Sequence, residues 1–457
     1  MNMVVSSIEK LFHHTNVHQG KILEFNPGDV IKGKVMKLFP HQTALVQFNG
    51  VPLVAQLQAS LTANTAYWFE VQTKVNGKLQ LKVMTGLQGM TERGEMMNSL
   101  LKELHLPPTK MNEKLIASLI EKNLPLPKNH LSSISSWLSS GTDIDIDMQT
   151  VEQMIKLNLP FTQETFLSAR SLYDSSSFTK QLQMLLSVLK ENGTLTTEGA
   201  QLKEVISGIL HPVQDEKGTS DEKAAIEQRA LLKEDSSLLL ENQVRQLAKG
   251  LKFIFQSLGL EYERMVSEYF KNDATALSKG DFHTLKALLL QFHQQSLGQE
   301  RDLAGQLIHK ITGYQLLARE DEPVTSLYMQ LPIVLGNEPR DVIIQWEGRQ
   351  KNTGGIDPNY CRILFCLQLE YLNETIVDVT VQNRVVNIGI INDFPQLQML
   401  TKKMGSKLKE NLAALNYHLS DIKVIASVPN QQERPFLLKR AAVYLQSGPY
   451  EGVDLKI

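Results

Sequence analysis

Cysteine is scarce in this chain of 457 residues, which contains only Cys361 and Cys366. Two cysteines cannot build a disulfide framework. Their separation of five residues along a predicted strand places the two side chains on opposite faces of that strand. A reducing compartment therefore fits the sequence best.

Long apolar runs are also missing. No stretch approaches the roughly 20 apolar residues of a membrane-spanning helix. The segment from Met1 to Asn26 has no basic flank that leads into an apolar run. We therefore expect a cytoplasmic protein without membrane insertion and without a cleaved signal peptide. Export by a route that leaves the N-terminus uncleaved is compatible with this expectation.

Neither sign of charge dominates. The chain has 47 lysines and arginines and 49 aspartates and glutamates, which gives a net charge of −2. Such a balance gives no global attraction to nucleic acid or to anionic membranes. Any affinity of this kind must come from a local patch.

The usual motifs of catalysis are not found. The chain has no Gly-x-Ser-x-Gly, no Gly-x-Gly-x-x-Gly after a strand and no Gly-x-x-x-x-Gly-Lys-Ser/Thr. Its 11 histidines form no pattern with metal-ligand spacing. The alternation Asp143, Asp145, Asp147 lacks the glycine and distal glutamate of a calcium loop, which favours a helix start. We predict a non-enzymatic protein without a metal or a cofactor.

What is present indicates a multidomain α+β fold. The length exceeds that of one ordinary core, and 42% hydrophobic with 21% charged residues is the composition of a folded chain. The changes of pattern along the chain predict four parts: an N-terminal β-barrel at 1–85, a helical region at 86–210, a linker with a second helical region at 211–326, and a C-terminal α+β domain at 327–457.

The pattern of the first part predicts β-strands. Asn49-Gly50 and Asn76-Gly77 are strong hairpin signals, and apolar residues alternate on both sides of each turn. Five strands between Gly28 and Val83 predict a small antiparallel barrel, closed or half-closed. The helical region that follows is divided by three Leu-Pro steps, Leu106-Pro107, Leu124-Pro125 and Leu159-Pro160, each of which precedes a new helix.

The barrel is locally basic, which suggests a nucleic-acid-binding module. Its lysines outnumber Asp29 and Glu70, and alternation with inward-pointing neighbours predicts that Trp68 is exposed. Cations for phosphates beside an aromatic ring for bases are the requirements of a single-strand-binding groove. Its predicted residues are Lys32, Lys34, Lys37 and Trp68. The alternative is a scaffold barrel whose lysines only protect strand edges and outer faces.

The C-terminal part contains strands, then a long leucine-spaced helix from Phe394 to Tyr417, then a final strand from Ile422 to Val428. Together with the runs Leu331–Gly336, Val342–Trp346, Leu367–Asn373 and Val385–Ile391, this pattern resembles the C-terminal domain of flagellar hook-length control proteins, especially their divergent Gram-positive relatives. The resemblance implies a mostly antiparallel sheet with one covering helix. It also implies contact with the flagellar type III export gate, a switch of export specificity, hook components as further partners and export through the flagellar apparatus.

In that family a Pro-x-x-Leu-Gly turn precedes the central strands. Here the corresponding residues are Leu369, Glu370, Leu372 and Asn373, which the resemblance makes the predicted partner-contact site. Asparagine replaces glycine, and it tolerates the left-handed conformation that such a turn needs. The alternative is a turn that only joins two strands. The helical middle region also differs from the family's long flexible segment, which argues against a role as an extended ruler.

Overall fold

The computed structural model describes residues 25–40, 42–59, 61–75, 78–87, 93–174, 176–191, 196–211, 249–259, 283–321, 324–335, 338–350 and 356–426. These residues form two compact units that divide between Arg170 and Ser171. The four-part division predicted from the sequence stays a prediction, and most of its central linker, 212–248, lies outside the described residues.

The first unit begins with a closed five-stranded barrel, as predicted. Its strands are β1 (Asp29–Phe39), β2 (Thr43–Phe48), β3 (Val51–Leu57), β4 (Ala66–Val75) and β5 (Lys78–Val83). The hydrogen-bonded order is β2-β3-β5-β4-β1, and β1 closes the barrel by pairing with β2. The pairing is antiparallel, as predicted, except between β3 and β5, which are parallel. The predicted turn at Asn49-Gly50 is present. Its φ values, 47° at Asn49 and 83° at Gly50, are the positive values that this type of hairpin turn requires. The turn at Asn76-Gly77 lies outside the described residues.

Alternation along these strands fills the barrel with apolar side chains. Val35, Val46 and Phe69 are fully buried there, with Ala55 and Leu81. The outward-pointing residues are consequently the ones available either to cover the barrel or to bind ligands.

The predicted helical region follows the barrel within the same unit. Its helices are α1 (Arg93–Glu103), α2 (Lys110–Glu121), α3 (Leu131–Ser140), α4 (Ile144–Lys156) and α5 (Gln163–Ser171), and a short strand, β6 (Leu126–Pro127), pairs with the start of β1. At each Leu-Pro step a left-handed residue ends the preceding helix, namely His105, Asn123 and Asn158. The following leucine then donates its N–H to the carbonyl five residues earlier, at 2.9, 2.8 and 2.9 Å. The three steps are therefore one repeated helix-ending motif.

The acidic alternation is a helix start, as predicted. Asp143 caps α4 by accepting from the backbone amides of Asp145 and Ile146, both at 3.1 Å. Asp147 is buried and accepts a hydrogen bond from Arg170. Burial raises the pKa of Asp147, although Arg170 opposes that change.

The second unit is an α+β domain. Its helices are α6 (Phe178–Glu191), α7 (Thr197–Leu210), α8 (Leu285–Gln295), α9 (Gly298–Leu317) and α10 (Leu397–Ala414), with a further helical stretch at residues 249–258. Its strands are β7 (Arg319–Asp321), β8 (Val324–Leu335), β9 (Glu338–Gln350), β10 (Ile356–Leu369), β11 (Asn373–Gln382), β12 (Val385–Ile391) and β13 (His418–Ile425).

These strands form one sheet in the order β13-β12-β11-β10-β9-β8-β7, antiparallel except where β12 pairs with β13. Helices α6 to α9 pack their apolar faces on β8 to β10, and α10 crosses between the two parallel strands. The predicted mostly antiparallel sheet and the long helix before its last strand are confirmed, whereas the packing of α6 to α9 on the sheet was not predicted. The last strand begins earlier than expected, at His418, and α10 is shorter at both ends than the predicted helix.

Both cysteines lie on β10 and both are buried. Burial raises the pKa of Cys361, and it raises the pKa of Cys366 to about 12. Neither thiol is therefore activated as a nucleophile. No helix in the described part of the chain is long and apolar enough to cross a bilayer.

Candidate functional site

Strand β1 contains an irregularity that decides which of its side chains share a face. Lys34 pairs with Gln47 and Lys37 pairs with Leu45, so three residue steps in β1 match two steps in β2. The extra residue, Met36, makes a bulge, which reverses the direction of the side chains after it. In a regular strand, side chains three residues apart point to opposite faces. Here the bulge brings Lys34 and Lys37 to the same outer face of the barrel.

The result is a row of three lysines that ends at an aromatic ring. We call Lys32, Lys34, Lys37 and Phe39 the lysine row. All four side chains are exposed, and Phe39 retains 39% of its accessible surface. The ammonium group of Lys37 lies 5.7 Å from the Phe39 ring centroid. The row therefore offers cations and a flat apolar surface along one strand.

The acidic groups of the barrel do not neutralise the row. Asp29 is buried and its carboxylate accepts a 2.7 Å hydrogen bond from the backbone amide of Asn26. Burial raises the pKa of Asp29 to about 6. Glu70 forms an ion pair with Lys128, with 3.3 Å between Nζ and Oε2. Consequently neither Asp29 nor Glu70, the acidic residues of the barrel strands, forms an ion pair with the lysine row.

The predicted exposure of Trp68 is wrong. The side chain does point out of the barrel, as alternation requires, but it is only 7% exposed because helices of the same unit cover it. It packs in one cluster with Leu104 and Leu126. Lys32 Nζ lies 6.0 Å from its ring centroid, at the edge of this covered area. Trp68 is thus part of a core and has no free face for a base.

Of the four residues predicted to bind nucleic acid, Lys32, Lys34 and Lys37 lie together on an exposed face, and Trp68 does not join them. The aromatic residue that does join them is Phe39, which sequence reasoning missed. No signal within β1 alone could have found it, because the bulge at Met36 that brings Phe39 into the row is a register shift between β1 and β2.

The second predicted site is the turn between β10 and β11. Leu369 pairs with Asn373 across it, and Asn373 has φ of 52°, the left-handed conformation expected of asparagine at this position. Glu370 is exposed and Leu372 is half-buried. Tyr371, at the tip, is 82% exposed. The turn therefore presents an aromatic side chain to solvent.

A buried asparagine that sequence reasoning missed holds this turn in place. The Asn392 amide nitrogen donates to the carbonyl oxygens of Leu372 at 2.6 Å and Glu374 at 2.9 Å. Its Oδ1 accepts a 2.7 Å hydrogen bond from the backbone amide of Phe394. The turn and the segment that leads into α10 are thereby tied to one side chain.

In the described parts of the two units, no group of three or more His, Cys, Asp or Glu side chains lies close enough together to hold a metal ion. His13, His14 and His18 lie outside the described residues.

Comparison with known proteins bears on the barrel. Residues 7–82 match the model of the TP0910 S1-like domain. Over 100% of its length the chain is 23% identical to "Uncharacterized protein YlqG" of Bacillus subtilis (strain 168), of which the match covers 99%. No solved structure matches the chain. The fold is thus a multidomain α+β arrangement whose N-terminal barrel is similar to an S1-like domain.

Proposed function

We propose that the barrel binds single-stranded nucleic acid along the lysine row. The observation that carries the proposal is the bulge at Met36, which places three exposed lysines and the ring of Phe39 on one face. Lysines bind the phosphates of a strand and release its counterions, and an exposed ring stacks on one base without regard to sequence.

The S1-like match supports this reading, since small five-stranded barrels of the oligonucleotide-binding type use an outer strand face for their ligands. The row lies on β1 beside β2, which is one of the two strands of that face. Only one aromatic side chain is offered, so the contact would involve few bases and depend strongly on phosphates.

The test is fluorescence anisotropy of the full chain with a labelled 12-nucleotide single strand. We expect binding that weakens steeply with salt, and about a tenfold loss of affinity when Lys34→Gln and Lys37→Gln are combined. Lys82→Gln is the matched control, because Lys82 is also exposed on the barrel but faces Glu70 on β4. Two results count against the proposal: no binding tighter than about 10⁻⁴ M at low salt, or an equal loss in the control.

A second candidate function rests on the turn held by Asn392. In this reading the C-terminal domain docks on the flagellar type III export gate, as the resemblance to hook-length control proteins implies, and changes which subunits are exported. The support is a fixed turn with an exposed aromatic tip, Tyr371, at the position of the family's turn.

The variant Tyr371→Ala tests this candidate, because a side chain so exposed contributes little to folding. We expect it to weaken binding of the full chain to the cytoplasmic part of the export gate. The control is Val385→Ala, because Val385 is also exposed. It lies on β12, beside the end of β11 that is opposite the turn. Equal binding by both variants and the unaltered chain would show that the turn does not contact the export gate. Normal hook lengths in a strain that lacks the gene would show that the protein does not switch export specificity.

A further inference from the structure

Helix α10 buries only part of its apolar surface. On one side Leu412 packs on the sheet, and Gly405 lies close to Ile422 of β13. On the adjacent side four large apolar residues remain exposed, which we call the leucine–methionine strip. They are Leu400 (42%), Met404 (46%) and Leu408 (36%) on α10, and Leu415 (67%) directly after its end.

The strip has the spacing of a helix–helix contact. Residues four apart on a helix are rotated by about 40°, so Leu400, Met404 and Leu408 form a continuous line along the axis. Leu415 extends this line at the C-terminal end. Methionine adapts its shape to a partner and is frequent at binding surfaces. From Leu400 to Leu408 the line is about two turns long, and with Leu415 it is about four turns long, which suits one partner helix.

The charge around the strip defines the chemistry of its partner. Within Leu397–Ala414 the charged residues are Lys402, Lys403, Lys407, Lys409 and Glu410, so the helix is basic. We propose that the leucine–methionine strip docks an acidic amphipathic helix of another protein, which lays its apolar side on the strip and its carboxylates near Lys403 and Lys407, the two lysines that flank the strip on the helix. The inference depends neither on nucleic-acid binding nor on the hook-length resemblance.

Other occupants fit less well. A second copy of α10 would bring lysines of like charge together. The chain's own segment at 427–457 carries four lysines and arginines against three aspartates and glutamates, so it is not acidic. A membrane surface would need the whole apolar side of the helix, part of which is already packed on the sheet.

The probe is a display library of 18-residue amphipathic peptides with leucines at alternating spacings of three and four and with glutamate or lysine randomised elsewhere. It is selected on the full chain, on Met404→Glu and on Met399→Glu. Met399 is 66% exposed on the side of α10 away from the strip, so its variant adds the same charge to the same helix. We expect the selected peptides to bind the unaltered chain and Met399→Glu with similar affinity and to bind Met404→Glu with at least tenfold lower affinity. We also expect them to carry more glutamate than lysine. Circular dichroism confirms that both variants fold.

Several outcomes overturn the proposal. One is a selection in which lysine-rich peptides prevail, or in which no binder depends on Met404. Another is Met404-dependent flotation with vesicles of phosphatidylcholine and phosphatidylserine, which assigns the strip to a membrane. The last is Met404-dependent self-association in sedimentation, which assigns it to a second copy of the chain.

Discussion

The ammonium group of Lys37 lies 5.7 Å from the ring centroid of Phe39, two residues further along the same strand. A cation at that distance is attracted to the ring face by about 0.5–1 kcal/mol at an exposed site. In the proposed complex this cation would bind a phosphate while a base stacks on the face of the ring that the cation leaves open. The pair therefore combines the two contacts that single-strand binding requires.

Replacing Phe39 by alanine should weaken oligonucleotide binding by about tenfold, because one base–aromatic stack contributes roughly 1–3 kcal/mol. The midpoint of thermal unfolding should stay nearly unchanged, since the ring is outside the barrel core. Leu38→Ala is the matched control, as Leu38 is an exposed apolar neighbour without a place in the row. Titration and thermal unfolding of the two variants check this. Equal affinities for both variants would contradict a stacking role for Phe39.

Trp68→Ala should destabilise the first unit by about 3–5 kcal/mol, the usual cost of removing a buried aromatic side chain. Urea unfolding followed by circular dichroism measures this change in the free energy of unfolding. Any loss of nucleic-acid binding should follow the loss of folded protein. A variant that is fully folded and stable but has lost binding would restore Trp68 as a ligand contact.

The raised pKa of Asp29 predicts a pH dependence of stability. The folded state holds the proton up to about pH 6, whereas the unfolded carboxyl releases it near its ordinary value of 3.8. The free energy of unfolding should therefore fall as pH rises from about 4 to above 6. Asp29→Asn keeps an acceptor for the Asn26 amide and removes the titration.

We expect Asp29→Asn to be more stable than the unaltered chain by about 1–3 kcal/mol at pH 7.5, with the difference shrinking toward pH 4. Urea unfolding across this range provides the comparison. A constant difference at all pH values would show that Asp29 does not titrate in this window.

Asn392→Ala should destabilise the second unit by about 2–3 kcal/mol, because it leaves the carbonyl oxygens of Leu372 and Glu374 without their donor. Amide hydrogen exchange should increase first at the β10–β11 turn. Asn387→Ala, at an exposed position on β12, provides the baseline. An unchanged exchange rate at the turn would mean that Asn392 does not hold it.

Local signals predicted much of the fold. The Asn49-Gly50 turn, the left-handed Asn373 and the helix start at Asp143 each depend on residue types with strong backbone preferences, and each was found where expected. The five strands of the barrel also followed from period-two alternation. Such features are decided by neighbours in sequence, which is why a single sequence reveals them.

The site was less predictable because it depends on contacts far apart in sequence. Alternation correctly pointed Trp68 out of the barrel, but only the packing of the helices shows that it is covered. The bulge at Met36 is a mismatch between two strands, so it cannot be read from either strand alone. For the same reason the hydrogen bonds of the Asn392 side chain to Leu372, Glu374, Thr375 and Phe394 had no signal in the sequence.

The most direct test of the central claim is photocrosslinking of the full chain to a 4-thiouridine-labelled single strand, followed by mass spectrometry of the crosslinked peptides. The account predicts crosslinks within the segment from Lys34 to Phe39, which disappear in the combined Lys34→Gln and Lys37→Gln variant. Crosslinks confined to other lysines, such as Lys402 and Lys403 of α10, would contradict it.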